Sequence, residues 1–225
     1  MRTTNQLSVF TNKDITEMAS GKPFLSKSDV KQRLKNTKLR GTDSSITLEK
    51  WEAEDETEPI CWQSAPTVVG EVLVAATGKG VCFLGFSHDN QQEVLADLRG
   101  RFPRNPIEEK GTKGLEEAFD RINNPLQELP VHLHLKGTDF QLGIWEKLIR
   151  IPLGGLVTYS EMGNGVQNAR AAGTAVGANP VSILVPCHRV VRADGSYDGY
   201  YWGPEVKKRL LAYEAELVSE SSSIA

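Results

Sequence analysis

No stretch of this 225-residue chain approaches the ~18 consecutive apolar residues that a membrane-spanning helix needs. The opening MRTTNQLSVFTNKD is polar and lacks the apolar segment of a secretion signal, so a cytoplasmic protein is expected. Cysteine is scarce: Cys61, Cys82 and Cys187 are an odd number, at spacings that build neither a disulfide framework nor a zinc cluster. No repeat occurs, and the only biased run is SESSS near the C-terminus. Bulk positive charge is also missing, because the net charge is −3, so any nucleic-acid contact must come from a local surface. What is present, 39% hydrophobic residues in a chain of this length, is enough for one or two packed domains.

Charge is unevenly distributed. Residues 1–50 carry ten Lys and Arg against five Asp and Glu, residues 51–135 carry seven against fifteen, and residues 136–225 balance at nine each. Residues 1–60 read as a polar, largely disordered leader with one short helix in SKSDVKQRL; its basic charge suits a solvated tail better than a phosphate-tracking arm. Order is expected from near Pro66. VVGEVLVAA, the turn TGKG and VCFLGFS form a β-hairpin, and NQQEVLADLRGRF places Val94, Leu95, Leu98 and Phe102 on one helical face. GLEEAFDRINN reads as a second helix and VHLHL as a strand, giving a small α/β domain over 61–135 in which Cys61 and Cys82 are inert.

The second half reads differently. Thr138 or Asp139 caps a helix with Phe140, Ile144, Leu148 and Ile151 at helical spacing. A short helix opening at Thr158 or Ser160 and another from Asn168 to Ala178, joined by a Gly-containing turn, fit a helix-turn-helix. A final helix runs from Pro204 to about Leu217 with Val206, Leu210 and Leu217 inward, followed by a disordered tail, 218–225. The second of the paired helices, NARAAGTAVGAN, has almost no side chain on any face. Composition favours close packing against another helix. The functional alternative is entry into the narrow minor groove, whose degenerate pattern makes binding nearly blind to sequence; Ala169, Ala171, Gly173 and Thr174 then face DNA, and Arg170 is the one long side chain able to fill a vacated place in the base stack.

Pro186-Cys187-His188-Arg189 is the second signal. A Cys beside a His is most often a packed thiol next to a surface imidazole. Neighbours on a strand point to opposite faces, so a functional pair needs a turn or a bridging water, and Pro186 breaks regular geometry. His188 as proton acceptor makes the thiol a usable nucleophile, and Glu214 on the last helix is the carboxylate placed to orient the imidazole.

ILVPCHRVVRADG, GYYWG and KKRLLAYE, with GTDFQLGIWEKLIRIPLGGLVTYSEM and RAAGTAVGANP upstream in the same order, resemble the O6-alkylguanine-DNA alkyltransferase family, nearest to the C-terminal domain of Ada-type members. The resemblance is strong over about 136–217 and weaker over 65–135. It implies a small ribonuclease-H-like α/β domain followed by a winged helix-turn-helix alkyltransferase domain over 136–217. The reaction it implies is a single, irreversible transfer of an alkyl group, chiefly methyl, from O6 of a flipped guanine in double-stranded DNA to Cys187. His188 is then the water-linked base, Glu214 completes the relay, Asn179 shapes the cysteine turn, Tyr159 supports the departing guanine at N3, and Arg170 replaces the flipped nucleotide. Pro186, Val190, Tyr200, Tyr201 and Trp202 form the guanine pocket, with bulky Trp202 narrowing it in favour of methyl over benzyl. No cofactor and no metal are implied; the protein is expected to act as a monomer.

Two departures from the family stand out. The chain is a few residues shorter than usual between Tyr159 and Arg170, which trims the first helix or its turn, and Tyr197-Asp198 occupies positions where small or aliphatic residues are common. No Cys-rich regulatory stretch is present, so a transcription-activating role is not expected. Two other functions compete: a non-catalytic protein that binds alkylated bases and flags them for other repair, and a thiol hydrolase or redox protein. Cys187 argues against the first, and the lack of a resolving cysteine or acyl site against the second. His132 and His134 share a strand face but are too few for a metal site, and Lys207-Lys208-Arg209 reads as a solvated helix face with phosphate contact as the alternative.

Overall fold

A computed structural model describes residues 24–41, 45–87, 90–197 and 199–224. Six strands form one sheet in the order β1-β6-β4-β3-β2-β5: β1 (Ile46–Lys50), β2 (Ile60–Thr67), β3 (Gly70–Ala76), β4 (Val81–Phe86), β5 (Ile107–Glu109) and β6 (Val131–Leu135). The expected hairpin is β3–β4, extended to a three-strand meander by β2. β3 and β4 are apolar on both faces because both are covered. Leu73, Ala75 and Phe83 meet Val94 and Leu98 of α2 (Gln91–Arg101); Val72, Val74 and Leu84 share a core with Leu115, Ala118 and Ile122 of α3 (Lys113–Asn123). β4 is paired with β6 only at Val81, opposite Leu133, and beyond that point Leu84 pairs instead with Val181 from the second half of the chain. The sheet therefore opens to admit a segment that leads directly to Cys187.

The second half comprises α4 (Asp139–Ile149), β7 (Val157–Thr158), α5 (Tyr159–Met162), α6 (Ala169–Gly177), β8 (Val190–Val191) and α7 (Pro204–Ile224). Thr138 caps α4 in a reciprocal capping box with Gln141. Leu142, Ile144, Trp145 and Leu148 of α4 face inward, whereas Phe140, expected on that face, is 50% exposed. The helix that opens at Tyr159 is a single turn. Gly165, at φ 140°, and Asn164, at φ 55°, then redirect the chain through a 3-10 turn into α6. No helix among the described residues is long and apolar enough to cross a membrane.

The disordered reading of 1–60 fails for 24–41 and 45–60. The expected helix forms as α1 (Lys27–Asn36), closed by a Ser26–Asp29 capping box, but it is docked: Val30 is fully buried with Leu156, Val191 and Leu211. Arg33 donates to Gly154 O at 2.6 Å, and Leu156 N donates to the Thr37 hydroxyl at 2.9 Å. The first strand and a 3-10 turn over Ala53–Thr57 belong to the sheet unit, so that unit begins before residue 61. The polar composition misleads because one apolar residue and backbone hydrogen bonds suffice to anchor each piece. The tail reading also fails, since α7 continues to Ile224. Residues 1–23 and Asp198 lie outside the described residues.

A buried carboxylate ties the early segment down. Asp55 lies 3.1 Å from His134 Nε2 and 2.8 Å from Lys79 Nζ, and accepts from Glu52 N. His134 stacks on Trp51 and bonds Thr77 through Nδ1, while the exposed His132 bonds Thr47. Among the described residues no group of three potential ligands is arranged for a metal. The Lys79 bond, against the opposing effect of burial, takes the Asp55 carboxyl down to about 2 from 3.8. Its contribution is thus present above pH ~3.8 and lost as pH falls through ~2. Asp55→Asn is expected to destabilise at pH 7 by about 1–3 kcal/mol, a lower melting temperature whose deficit narrows below pH 4 in thermal scans.

Candidate active site

Cys187 opens a 3-10 turn, Cys187–Arg189, directly after Pro186. The approach to it is tightly wound: Ile183 has φ 69°, costly for a β-branched residue, and Cys187 N reaches back to Val185 O at 2.8 Å. Asn179 holds this shape. Its amide donates to Val185 O at 2.8 Å, and its oxygen accepts from Val181 N at 3.0 Å. The thiol faces a cavity of about 240 Å³, to which α5 and α6 contribute Tyr159 and Gly173, and the segment before α7 contributes Tyr200 and Tyr201. That volume is below the ~300 Å³ lower end of typical ligand pockets and fits a single base better than a larger ligand.

Behind the cysteine, His188 is fully buried and its Nε2 lies 2.8 Å from Glu214 Oε1. Arg189 grips the same carboxylate with its guanidinium fork, at 2.8 Å from Nη2 and 3.0 Å from Nε, and Gly154 N donates to it at 3.0 Å. Burial would raise the Glu214 carboxyl, but Arg189 and His188 outweigh it and hold it well below the usual range. An ionised Glu214 fixes the proton on His188 Nε2 and leaves Nδ1 as the acceptor. Nδ1 is buried and has no partner among the described residues. Burial pushes His188 below its ordinary value, keeping the imidazole neutral, and pushes the Cys187 thiol up, an effect that Asn179 and Lys207 oppose. Burial likewise raises Tyr159, so its hydroxyl keeps its proton and can donate.

The exposed edge of α6 presents Arg170, Ala171 and Thr174, with Ala169 and Gly173 half-buried. Its other face, Ala172, Ala175 and Val176, is buried near α4, where Trp145 Nε1 donates to Ala175 O at 2.9 Å. The small side chains therefore serve close packing on one side and leave a smooth surface on the other. Of the five residues expected around the pocket, Tyr200 and Tyr201 line it and three do not. Val190 is buried with its carbonyl bound by Lys207 Nζ at 2.6 Å, Pro186 borders a separate cleft beside Ile151 and Tyr213, and Trp202 turns away to β4. Lys207, read as solvated, is 1% exposed. The spacing of Lys207, Leu210, Leu211 and Glu214 marks one helical face and is the signal that places it inward. Nothing local in the sequence marks Arg189 as the partner of Glu214.

A family profile described as the DNA-binding domain of 6-O-methylguanine DNA methyltransferase matches residues 139–216. The inducible methylated-DNA–protein-cysteine methyltransferase of Bacillus subtilis is 38% identical over 154 residues, covering 65% of this chain and 86% of that protein. The bifunctional transcriptional activator and DNA repair enzyme Ada of Escherichia coli is 31% identical over 177 residues; the match covers 76% of this chain but spans only half of Ada. Among solved structures, the Mycobacterium tuberculosis O6-methylguanine methyltransferase superposes with a TM-score of 0.57 at 28% identity, over 70% of this chain and 93% of the other. The DNA complex of the protein from that organism superposes at 0.54 and 29% identity, over 70% and 92%. A nucleophile turn backed by a buried His–Glu pair, an α/β unit joined to a helix-turn-helix unit, and these matches together make the chain a member of the O6-alkylguanine-DNA alkyltransferase family.

Proposed function

We propose that this protein repairs O6-alkylguanine in duplex DNA by one irreversible transfer of the alkyl group to Cys187 Sγ. The observation that carries this is a cysteine facing a base-sized cavity with a neutral, carboxylate-anchored imidazole next to it in sequence. Burial keeps the resting thiol protonated, so the thiolate forms only as its proton passes to His188 Nδ1 through a bridging water, with Glu214 stabilising the imidazolium. The sulfur attacks the alkyl carbon, an S–C bond forms as the C–O6 bond breaks, and guanine leaves as an anion. The Tyr159 hydroxyl, donating at N3, lowers the barrier by neutralising that charge. The product thioether does not regenerate the thiolate, so each molecule acts once.

The lesion must leave the stack, at about a few kcal/mol, less for a poorly paired base. The smooth edge of α6 suits the minor groove with little sequence preference, and Arg170 at its start fills the vacated position. The protein is read as a cytoplasmic monomer that needs no cofactor. Arg170→Ala is expected to slow transfer from duplex DNA about tenfold or more, with a smaller effect on a single-stranded oligonucleotide whose base needs no eviction; quenched-flow rates on the two substrates check this. The proposal itself is tested by incubating the protein with duplex containing O6-methylguanine and measuring its intact mass. A gain of one methyl supports transfer. Binding without a mass change leaves the lesion-flagging reading instead.

A further inference from the structure

The indole of Trp202 sits on β4 of the sheet unit, in a slot that exists because residue 85 is glycine. A Cβ at Gly85 would lie 2.5 Å from Trp202 Cη2 and 2.7 Å from Cζ2. A glycine in the middle of a buried strand weakens it, and close approach by another group is the usual reason for one. The ring is edge-on to Phe83 and Phe86, with centroids at 6.5 and 6.2 Å, and its Nε1 donates to Ser182 Oγ at 2.7 Å. Trp202 directly follows Tyr200 and Tyr201, which with Gly199 line the cavity that Cys187 faces. Ser182 in turn is bonded to the same strand: Ser182 N donates to Leu84 O, and Leu84 N to Pro180 O, at 3.2 and 2.9 Å. Arg101 of α2 reaches the same region, with its guanidinium 5.6 Å from the Tyr201 ring centroid.

We infer that Gly85, Ser182 and Trp202 are positioning residues for alkyl transfer: strand β4 holds Trp202, and through it the Tyr200–Tyr201 lid, at the height over Cys187 that the reaction needs. Trp202 then governs the pocket from outside, by where it anchors the lid, and not by filling the pocket with its bulk. Selectivity for small alkyl groups follows from an anchored lid that cannot rise to admit a larger one.

This inference rests on the transfer reading above, and its test separates the two. The first-order rate of methyl transfer from duplex O6-methylguanine and the affinity for the same duplex are measured for the full chain, for Gly85→Ala, for Trp202→Ala and for the double variant. Gly85→Ala is expected to slow transfer about tenfold or more with affinity unchanged, because the DNA-facing edge of α6 is untouched. In the Trp202→Ala background the same change should slow transfer several-fold less, since the remaining tight neighbour of the new methyl is Val94 Cγ1 at 2.9 Å, on α2 and away from the lid. Both Gly85→Ala and Trp202→Ala should narrow the preference for methyl over benzyl. Equal slowing in both backgrounds marks a general loss of β4 integrity and overturns the inference, as does an unchanged rate in a folded Gly85→Ala. If Gly85→Ala does not fold, Trp202→Phe decides, because Ser182 itself lines the cavity whereas Trp202 does not: loss of the Nε1 bond to Ser182 Oγ should slow transfer with affinity unchanged, and an unchanged rate overturns the inference. Failure of the unaltered chain to gain a methyl group sinks the transfer reading itself.

Discussion

Cys187→Ala is expected to abolish methyl transfer while leaving affinity for the alkylated duplex nearly unchanged. The separation follows from the layout. Cys187 is 7% exposed at the wall of the cavity and takes no part in the exposed edge of α6 that carries Arg170, Ala171 and Thr174. Neither other cysteine can substitute. Cys82 is fully buried, its thiol held against Ala75 O and pushed far up by burial, and Cys61 lies in β2 of the sheet unit, outside the cavity lining. Intact mass spectrometry and fluorescence anisotropy on the same preparation check both halves. Residual transfer in the variant would move the chemistry to another residue, and lost affinity would give Cys187 a binding role.

Glu214→Gln has the second largest expected effect, and it acts on rate and stability together. Loss of the carboxylate removes the charge that stabilises His188 as it accepts a proton, slowing transfer by about 10²–10⁴-fold. It also leaves the Arg189 guanidinium without its buried counter-charge, at a cost of about 3–5 kcal/mol. Two pH signatures accompany this. Glu214 favours the charged state of its neighbour, partly offsetting the effect of burial on His188. The acid limb of the transfer rate, set by a His188 pKa below 6.5, therefore moves to still lower pH in the variant. The depressed Glu214 pKa contributes stability that is present above its unfolded value of about 4.5 and lost as pH falls through the depressed one, so the stability gap closes in acid. Stopped-flow rates between pH 4 and 8 measure the first, and chemical denaturation from about pH 7 down to about pH 2 measures the second. A variant as fast and as stable as the original contradicts the relay.

What could be read from sequence and what could not divide along physical lines. Local pattern was sufficient for several elements: apolar runs bounded by a Gly-containing turn for the β3–β4 hairpin, helical spacing for α2 and α4, and composition with flanking turns for α3 and α6. The PCHR turn and its link to Glu214 were legible because a thiol, an imidazole and a carboxylate are chemically distinctive side chains. Residues 24–41 and 45–60 were not legible because their anchoring runs through backbone groups and single contacts such as Val30, Arg33 and Asp55, which leave no periodic trace. Trp202 shows another limit. Its size suggested a wall of the pocket, but its position is decided by Gly85, more than a hundred residues earlier, and only the folded chain brings the two together. Lys207 illustrates a third case, in which charge alone suggested solvent although its helical phase with Leu210, Leu211 and Glu214 pointed inward.

The central claim, that Cys187 Sγ takes up one alkyl group permanently, is tested most directly by titrating the protein with excess O6-methylguanine duplex and mapping the product by peptide mass spectrometry. The account predicts that uptake stops at one methyl per chain, carried on the peptide containing Cys187. Continued release of repaired DNA beyond one equivalent, or a methyl group on any other residue, would contradict it.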